Sequence, residues 1–126
     1  MTDLPVLIVE DEPDGQEVLV GILSYFDIPL HVTSNAEDAW IYLAEHKCAG
    51  VIIDLSLPGM DGISLLKSIR SNAETVNIPC AVVTAFHSSL VKKQAVEAGC
   101  NVFIAKPFQE IHLVHEVQKM IALSQD

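Results

Sequence analysis

Five polar side chains in this sequence stand where short apolar runs end, and together their types suit one chemistry. Glu10 and Asp11 follow the run 5–9, Asp54 closes 50–54, Thr84 follows 79–83 and Lys106 follows 101–105. Carboxylates crowded together repel, and each raises the other's pKa unless a cation lies between them. Three acids in one place therefore point to a hard divalent ion. Mg2+ (or Mn2+) takes oxygen ligands and keeps several waters, which leaves positions for phosphate oxygens. A carboxylate can attack phosphorus to form an acyl phosphate. A metal ion and an ammonium can neutralise the equatorial oxygens of the transferring group, and a hydroxyl can donate to one of them. The reaction open to these residues is phosphoryl transfer onto a carboxylate.

That chemistry needs elements that bring distant residues together. The runs 5–9, 30–33, 50–54, 79–83 and 101–105 are mostly continuous in apolar residues, as strands buried on both faces of a parallel sheet would be. Between them lie stretches with helical spacing. Residues 17–26 follow Pro13 and Asp14, a plausible helix start. Asn35 can cap a helix over 36–46 with Ala39, Trp40 and Leu43 on one face. Ile63, Leu66 and Ile69 mark a third helix. Val91, Ala95 and Ala98 mark a fourth, stopped by Gly99, and Ile111, Val114, Val117 and Ile121 mark the last. Strict alternation of five strands and five helices predicts an open α/β fold with right-handed crossovers. Ligands of such sheets bind outside the carboxyl ends of the strands. Four of the five runs deliver a polar group to that rim; the second does not, as expected of an edge strand.

A length of 126 residues predicts one domain, 1–126. Its 17 acidic and 7 basic side chains give a formal charge of -10, which argues against direct binding to nucleic acid or to an anionic membrane surface. Cys48, Cys80 and Cys100 are widely spaced in apolar settings without a Cys-x-x-Cys pair. They read as buried, reduced thiols of a cytoplasmic protein. No basic-then-apolar leader opens the chain, and its apolar runs fall far short of a membrane span. With the last helix reaching the end of the sequence, no output domain is expected within it.

Four motifs carry a family resemblance: Val-Glu-Asp-Glu-Pro at 9–13, Asp-Leu-Ser-Leu-Pro-Gly-Met-Asp-Gly at 54–62, Val-Thr-Ala at 83–85 and Lys-Pro-Phe at 106–108. In order and spacing they resemble the receiver domains of two-component response regulators, and the resemblance spans nearly the whole chain. It implies a doubly wound (βα)5, flavodoxin-like fold with strand order 2-1-3-4-5 and helices on both faces. It implies that Asp54 is the phosphoacceptor. Asp11, Asp54, the backbone carbonyl of Ser56 and, through water, Glu10 would hold Mg2+. Lys106 would pair with the phosphoryl group and Thr84 would be the switch hydroxyl. Phe103 would be the aromatic that moves with it, and Ala85 the small residue that keeps the phosphate reachable. A cis Lys106–Pro107 bond is also implied. The implied partners are a histidine kinase or His-phosphotransfer protein, with a downstream protein or fused output domain reading the surface of the fourth helix, fifth strand and fifth helix. Such a domain is a signalling module with self-catalysed phosphotransfer and dephosphorylation, not a metabolic enzyme.

The sequence departs from parts of that pattern. One large subfamily dimerises through charged residues on the output face. Here the fifth strand opens Asn101-Val102, and the fifth helix has His115 and Glu116 but no Arg, so that dimer is not expected. Bulky Phe86, two positions after Thr84, is expected to screen the phosphoryl group from water. The first helix is apolar nearly all round, and Ile41 and Tyr42 add to that side; a wide core stripe accounts for this, and a weak homodimer or partner surface is the functional alternative. Two other functions compete. A haloacid-dehalogenase-type phosphatase wants a second Asp where Ser56 stands. A nucleotide- or flavin-binding module wants a phosphate loop where Glu10-Asp11-Glu12 stands. A receiver that no longer takes phosphate would not need the complete residue set.

Overall fold

In the computed structural model, residues 3–55, 60–85 and 88–124 are described. Ser56 and Phe86 lie outside them. The elements alternate as the patterning predicts: β1 (Val6–Val9), α1 (Pro13–Tyr25), β2 (Leu30–Thr33), α2 (Ala36–Glu45), β3 (Gly50–Leu55), α3 (Met60–Ser71), β4 (Cys80–Thr84), α4 (Ser89–Ala98), β5 (Val102–Ala105) and α5 (Glu110–Leu123). All strand pairs are parallel, in the order β2-β1-β3-β4-β5.

Strand alternation divides the core in two. On one face Val6, Ile8, Ile52, Val83 and Ile104 pack against α1 and α5. On the other, Leu7, Val9, Val51, Ile53 and Val82 pack against α2, α3 and α4. β1, and β3 apart from Asp54, are fully buried, which explains their unbroken apolar runs. β2, at the edge, is only partly covered. Cys48 and Cys80 are buried and Cys100 partly so, and none is in a disulfide. Burial pushes the Cys48 thiol up to about 11 and that of Cys80 to about 12, so both stay protonated and inert. None of the described helices is long and apolar enough to cross a membrane.

The helix ends follow their capping residues. Asn35 Oδ1 accepts the Asp38 N–H at 2.7 Å, and Ser88 Oγ accepts that of Val91 at 3.2 Å. Gly99 ends α4 in the left-handed region, at φ 111°. α1 starts earlier than the apolar pattern predicts, because Pro13 is preorganised for the first helical position. β3 and β4 each run one residue further than predicted, because Leu55 and Thr84 pair with each other. In α5 the inward stripe is Leu113, Val114, Val117 and Met120; Ile111, expected in the core, is on its flank and 50% exposed. Trp40 is half-buried at the rim of its cluster, and Ala39 and Leu43 form the buried contact of α2. The surplus apolar residues of α1 and α2 are outward: Val18, Tyr25 and Ile41 are exposed, whereas Leu19, Ile22 and Leu23 are buried.

Arg70, near the end of α3, ties three connections together. Its Nε donates to the Gly99 carbonyl at 2.9 Å, one terminal nitrogen to the carbonyls of Val76 (3.0 Å) and Ile78 (2.7 Å), and the other to Asn101 Oδ1 (2.9 Å). Gly21 is the opposite case: exposed in mid-helix, with nothing within 4 Å of where a β-carbon would sit. Gly21→Ala should therefore stabilise the fold by about 0.5–1 kcal/mol through helix propensity. Thermal melts check this; a lowered melting temperature would contradict it.

Candidate functional site

The sheet register sets the chemical groups level with one another. Val9 pairs with Ile53, Asp54 with Val83, Leu55 with Thr84, and Thr84 with Ala105. Glu10 is therefore level with Asp54, Thr84 stands one residue further along and Lys106 two, so all four reach the same rim. Asp54 is the last but one residue of β3 and its side chain is only 5% exposed. The Lys106 ammonium, 32% exposed, stands 2.5 Å from Asp54 Oδ2. That approach is an ion pair without hydrogen-bond directionality, so Oδ2 is left buried without a well-aligned donor.

Glu10 lies on the other side of Asp54. It is buried, at 4% exposure, and its carboxyl is hydrogen-bonded to that of Asp54. Burial pushes the Glu10 carboxyl up to about 7, helped by the negative charge of Asp54 and the bond between them; the Glu12 backbone N–H and the Lys106 charge pull the other way. The consequence for stability has a definite sign. A carboxyl with a raised folded pKa contributes stability that is whole below about 4.5 and lost as pH rises through about 7. Between pH 5 and 8, without divalent ions, the melting temperature of the wild type should fall relative to that of Glu10→Gln, whose amide still donates to Asp54 and does not ionise. A constant gap between the two would refute this.

Asp11 is exposed directly after Glu10. Thr84 is fully buried, and its Oγ1 donates to the Leu55 carbonyl at 3.2 Å. Phe103 is half-buried against the cluster under α2–α4, and Ala85 is exposed beside the site. The Lys106–Pro107 bond is cis. An open cleft of about 540 Å³ leads to Asp54 and Lys106 between α1 and the start of α5, past Val18, Pro107 and Phe108. The structure thus joins Glu10, Asp54 and Lys106 directly, with Thr84 on the adjacent strand.

A divalent ion fits these residues. The buried, poorly directed Oδ2 of Asp54 and the strained pair of carboxyls both gain from a cation. Among the described residues, no three His, Cys, Asp or Glu side chains form a ready cage for a metal. Mg2+ does not ask for one, since it keeps waters and uses one or two carboxylates.

Two contributors were not picked out from the sequence. Gln16 Nε2 donates to the Glu10 carbonyl at 2.7 Å and to Ser34 Oγ at 3.1 Å, tying α1 to the ends of β1 and β2. Gly15 abuts the Glu10 carboxyl. A polar residue and a glycine in the first helical turn after an acidic strand end were the only signals available.

Residues 6–118 match the family model described as response regulator receiver domain. Response regulator Rre1 of Synechocystis sp. (strain ATCC 27184 / PCC 6803 / Kazusa) is 32% identical over 123 residues, covering 97% of this chain and 53% of that protein. Protein RcaC of Microchaete diplosiphon is 30% identical, over 94% of this chain and 18% of its own length. The chain thus spans about half or less of the length of these relatives. A putative response regulator from Chloroflexus aurantiacus J-10-fl superposes with a TM-score of 0.89 at 30% identity, covering 96% of this chain and 99% of that one. The receiver domain of sensor histidine kinase PA1611 from Pseudomonas aeruginosa PAO1, solved with a magnesium ion coordinated in its active site cleft, superposes with a TM-score of 0.86 at 25% identity, with the same coverage.

Proposed function

The chain belongs to the response regulator receiver domain family, and from that premise we propose that Asp54 is its phosphoacceptor, charged by a phosphohistidine of a histidine kinase or His-phosphotransfer protein. The observation that carries this reading is the buried Asp54 carboxyl held between the Lys106 ammonium and the Glu10 carboxyl at the carboxyl rim of the sheet. An Asp54 carboxylate oxygen attacks phosphorus, the bond from phosphorus to the donor imidazole nitrogen breaks, and an acyl phosphate remains. Lys106 transfers its ion pair from Asp54 to a phosphoryl oxygen, where charge accumulates. Asp11, Asp54 and the Ser56 carbonyl, with Glu10 through water, would hold Mg2+ or Mn2+; when bound, it supplies further neutralisation of the phosphoryl oxygens.

The switch follows from the hydroxyl. Thr84 leaves the Leu55 carbonyl to donate to the phosphoryl group, Phe103 moves into the space released, and the α4–β5–α5 surface changes. A downstream protein or an attached output domain reads that surface. The magnesium ion in the PA1611 receiver supports the metal assignment. The phosphatase alternative lacks the second Asp its chemistry needs, since Ser56 stands there.

Incubation with Mg2+ and acetyl phosphate or phosphoramidate, read by intact mass, tests the proposal. The wild type should gain one phosphoryl group and Asp54→Asn none. A wild type that stays unmodified, or an Asp54→Asn protein that gains the group equally, would overturn it.

A further inference from the structure

We propose that Gly15 is a positioning residue for the acidic side of the site: the side chain it lacks is the space in which the Glu10 carboxyl sits. A β-carbon at position 15 would stand 1.7 Å from Glu10 Oε1, 2.7 Å from Cδ and 3.1 Å from Cγ. No carboxyl can share that volume, so any side chain at 15 turns the Glu10 carboxyl out of its place.

Backbone conformation does not explain the glycine. Among the described glycines only Gly99 has a positive φ, so an L side chain at 15 would meet no backbone strain, and helix propensity favours alanine there. What the glycine preserves is a specific arrangement. The residue before α1, Glu12, makes no side-chain capping bond. The Glu10 carboxyl instead lies beside the Glu12 N–H, which lowers its pKa, and beside the Asp54 carboxyl, which raises it. One buried carboxyl thus spans the start of α1 and the phosphoacceptor, and Gly15 is the wall it rests against. Displacing it takes away both contacts at once. Gly21, in the same helix with nothing within 4 Å, is the built-in control.

The inference rests on the proposed reading of Asp54 and its metal, and its test separates the two. Mg2+ affinity is measured by calorimetry on the full chain, together with melting in EDTA. Gly15→Ala should weaken Mg2+ binding on the order of tenfold, the effect typical of disturbing groups that orient metal ligands, and should lower the melting temperature. Gly21→Ala should change neither in that direction. In the double variant Gly15→Ala/Glu10→Asp, the shorter acid clears the new β-carbon and should recover most of the affinity. In a Glu10→Ala background, Gly15→Ala should become stabilising. Wild-type affinity in Gly15→Ala, no recovery in the double variant, or equal destabilisation with and without the Glu10 side chain would each overturn the inference. Failure of the wild type to bind Mg2+ would count against the functional reading alone, and the melting comparison would still decide the role of Gly15.

Discussion

Lys106→Ala should take up phosphoryl groups from acetyl phosphate about a hundredfold to a thousandfold more slowly than the wild type, at equal Mg2+. The amine is the basic group ion-paired with Asp54, 2.5 Å from its carboxyl. In the proposed reaction it faces the position where negative charge develops as the phosphoryl group arrives. Loss of one preorganised donor at such a point typically has an effect of that size. Lys106→Arg should recover only part of the rate, because a broad planar fork does not reproduce a compact ammonium at the same place. Removing Lys106 also takes away one of the two influences holding the Glu10 carboxyl down, so that group should titrate above about 7 in the variant. Initial rates by intact mass, with a side-chain NMR titration of Glu10, read both effects. A rate within threefold of the wild type would mean that Lys106 does not face the transferring group.

Arg70→Ala should destabilise the domain by about 2–4 kcal/mol, because four hydrogen bonds from one charged group are lost and partly buried carbonyls at Ile78 and Gly99 lose their donor. For a domain of this size that is a fall of roughly 10 °C in melting temperature. Set against a typical total of about 5–15 kcal/mol, it is the largest stability effect expected of any single surface-reaching side chain here. Lysine cannot replace it, since one ammonium cannot reach the Gly99, Val76 and Ile78 carbonyls and Asn101 together. An Arg70→Ala protein that melts within 2–3 °C of the wild type, roughly what 1 kcal/mol would give, would show that water replaces these bonds without loss.

The strands and the polar groups at their ends were legible for one physical reason. A parallel sheet covered on both faces writes itself as apolar runs, and whatever ends a run must stand at the rim. Glu10, Asp54, Thr84 and Lys106 could be placed that way, and the paired strands bring them to one rim within two residues of each other. What could not be read depends on packing across the chain. Ile111 has the spacing of a core residue, yet the stripe of α5 is centred on Val117 and leaves it outside. Arg70 looks like any charged residue late in a helix until the carbonyls of two distant turns are seen around it. Gly15 carries no signal of its own, since its closest neighbour is the side chain of Glu10, just past the end of β1.

The common level of the strand ends also sets where this chain tolerates changes in length. One residue inserted into β3 ahead of Asp54 would carry the carboxylate about 3.3 Å along the strand and turn it to the opposite face of the sheet, away from Lys106. The same insertion in the turn before Leu30, at the other end of the sheet, lengthens a loop and leaves the ladder in step. Drift in length among descendants of this sequence should therefore gather at the amino-terminal ends of the strands, while the spacing within each strand is inherited intact.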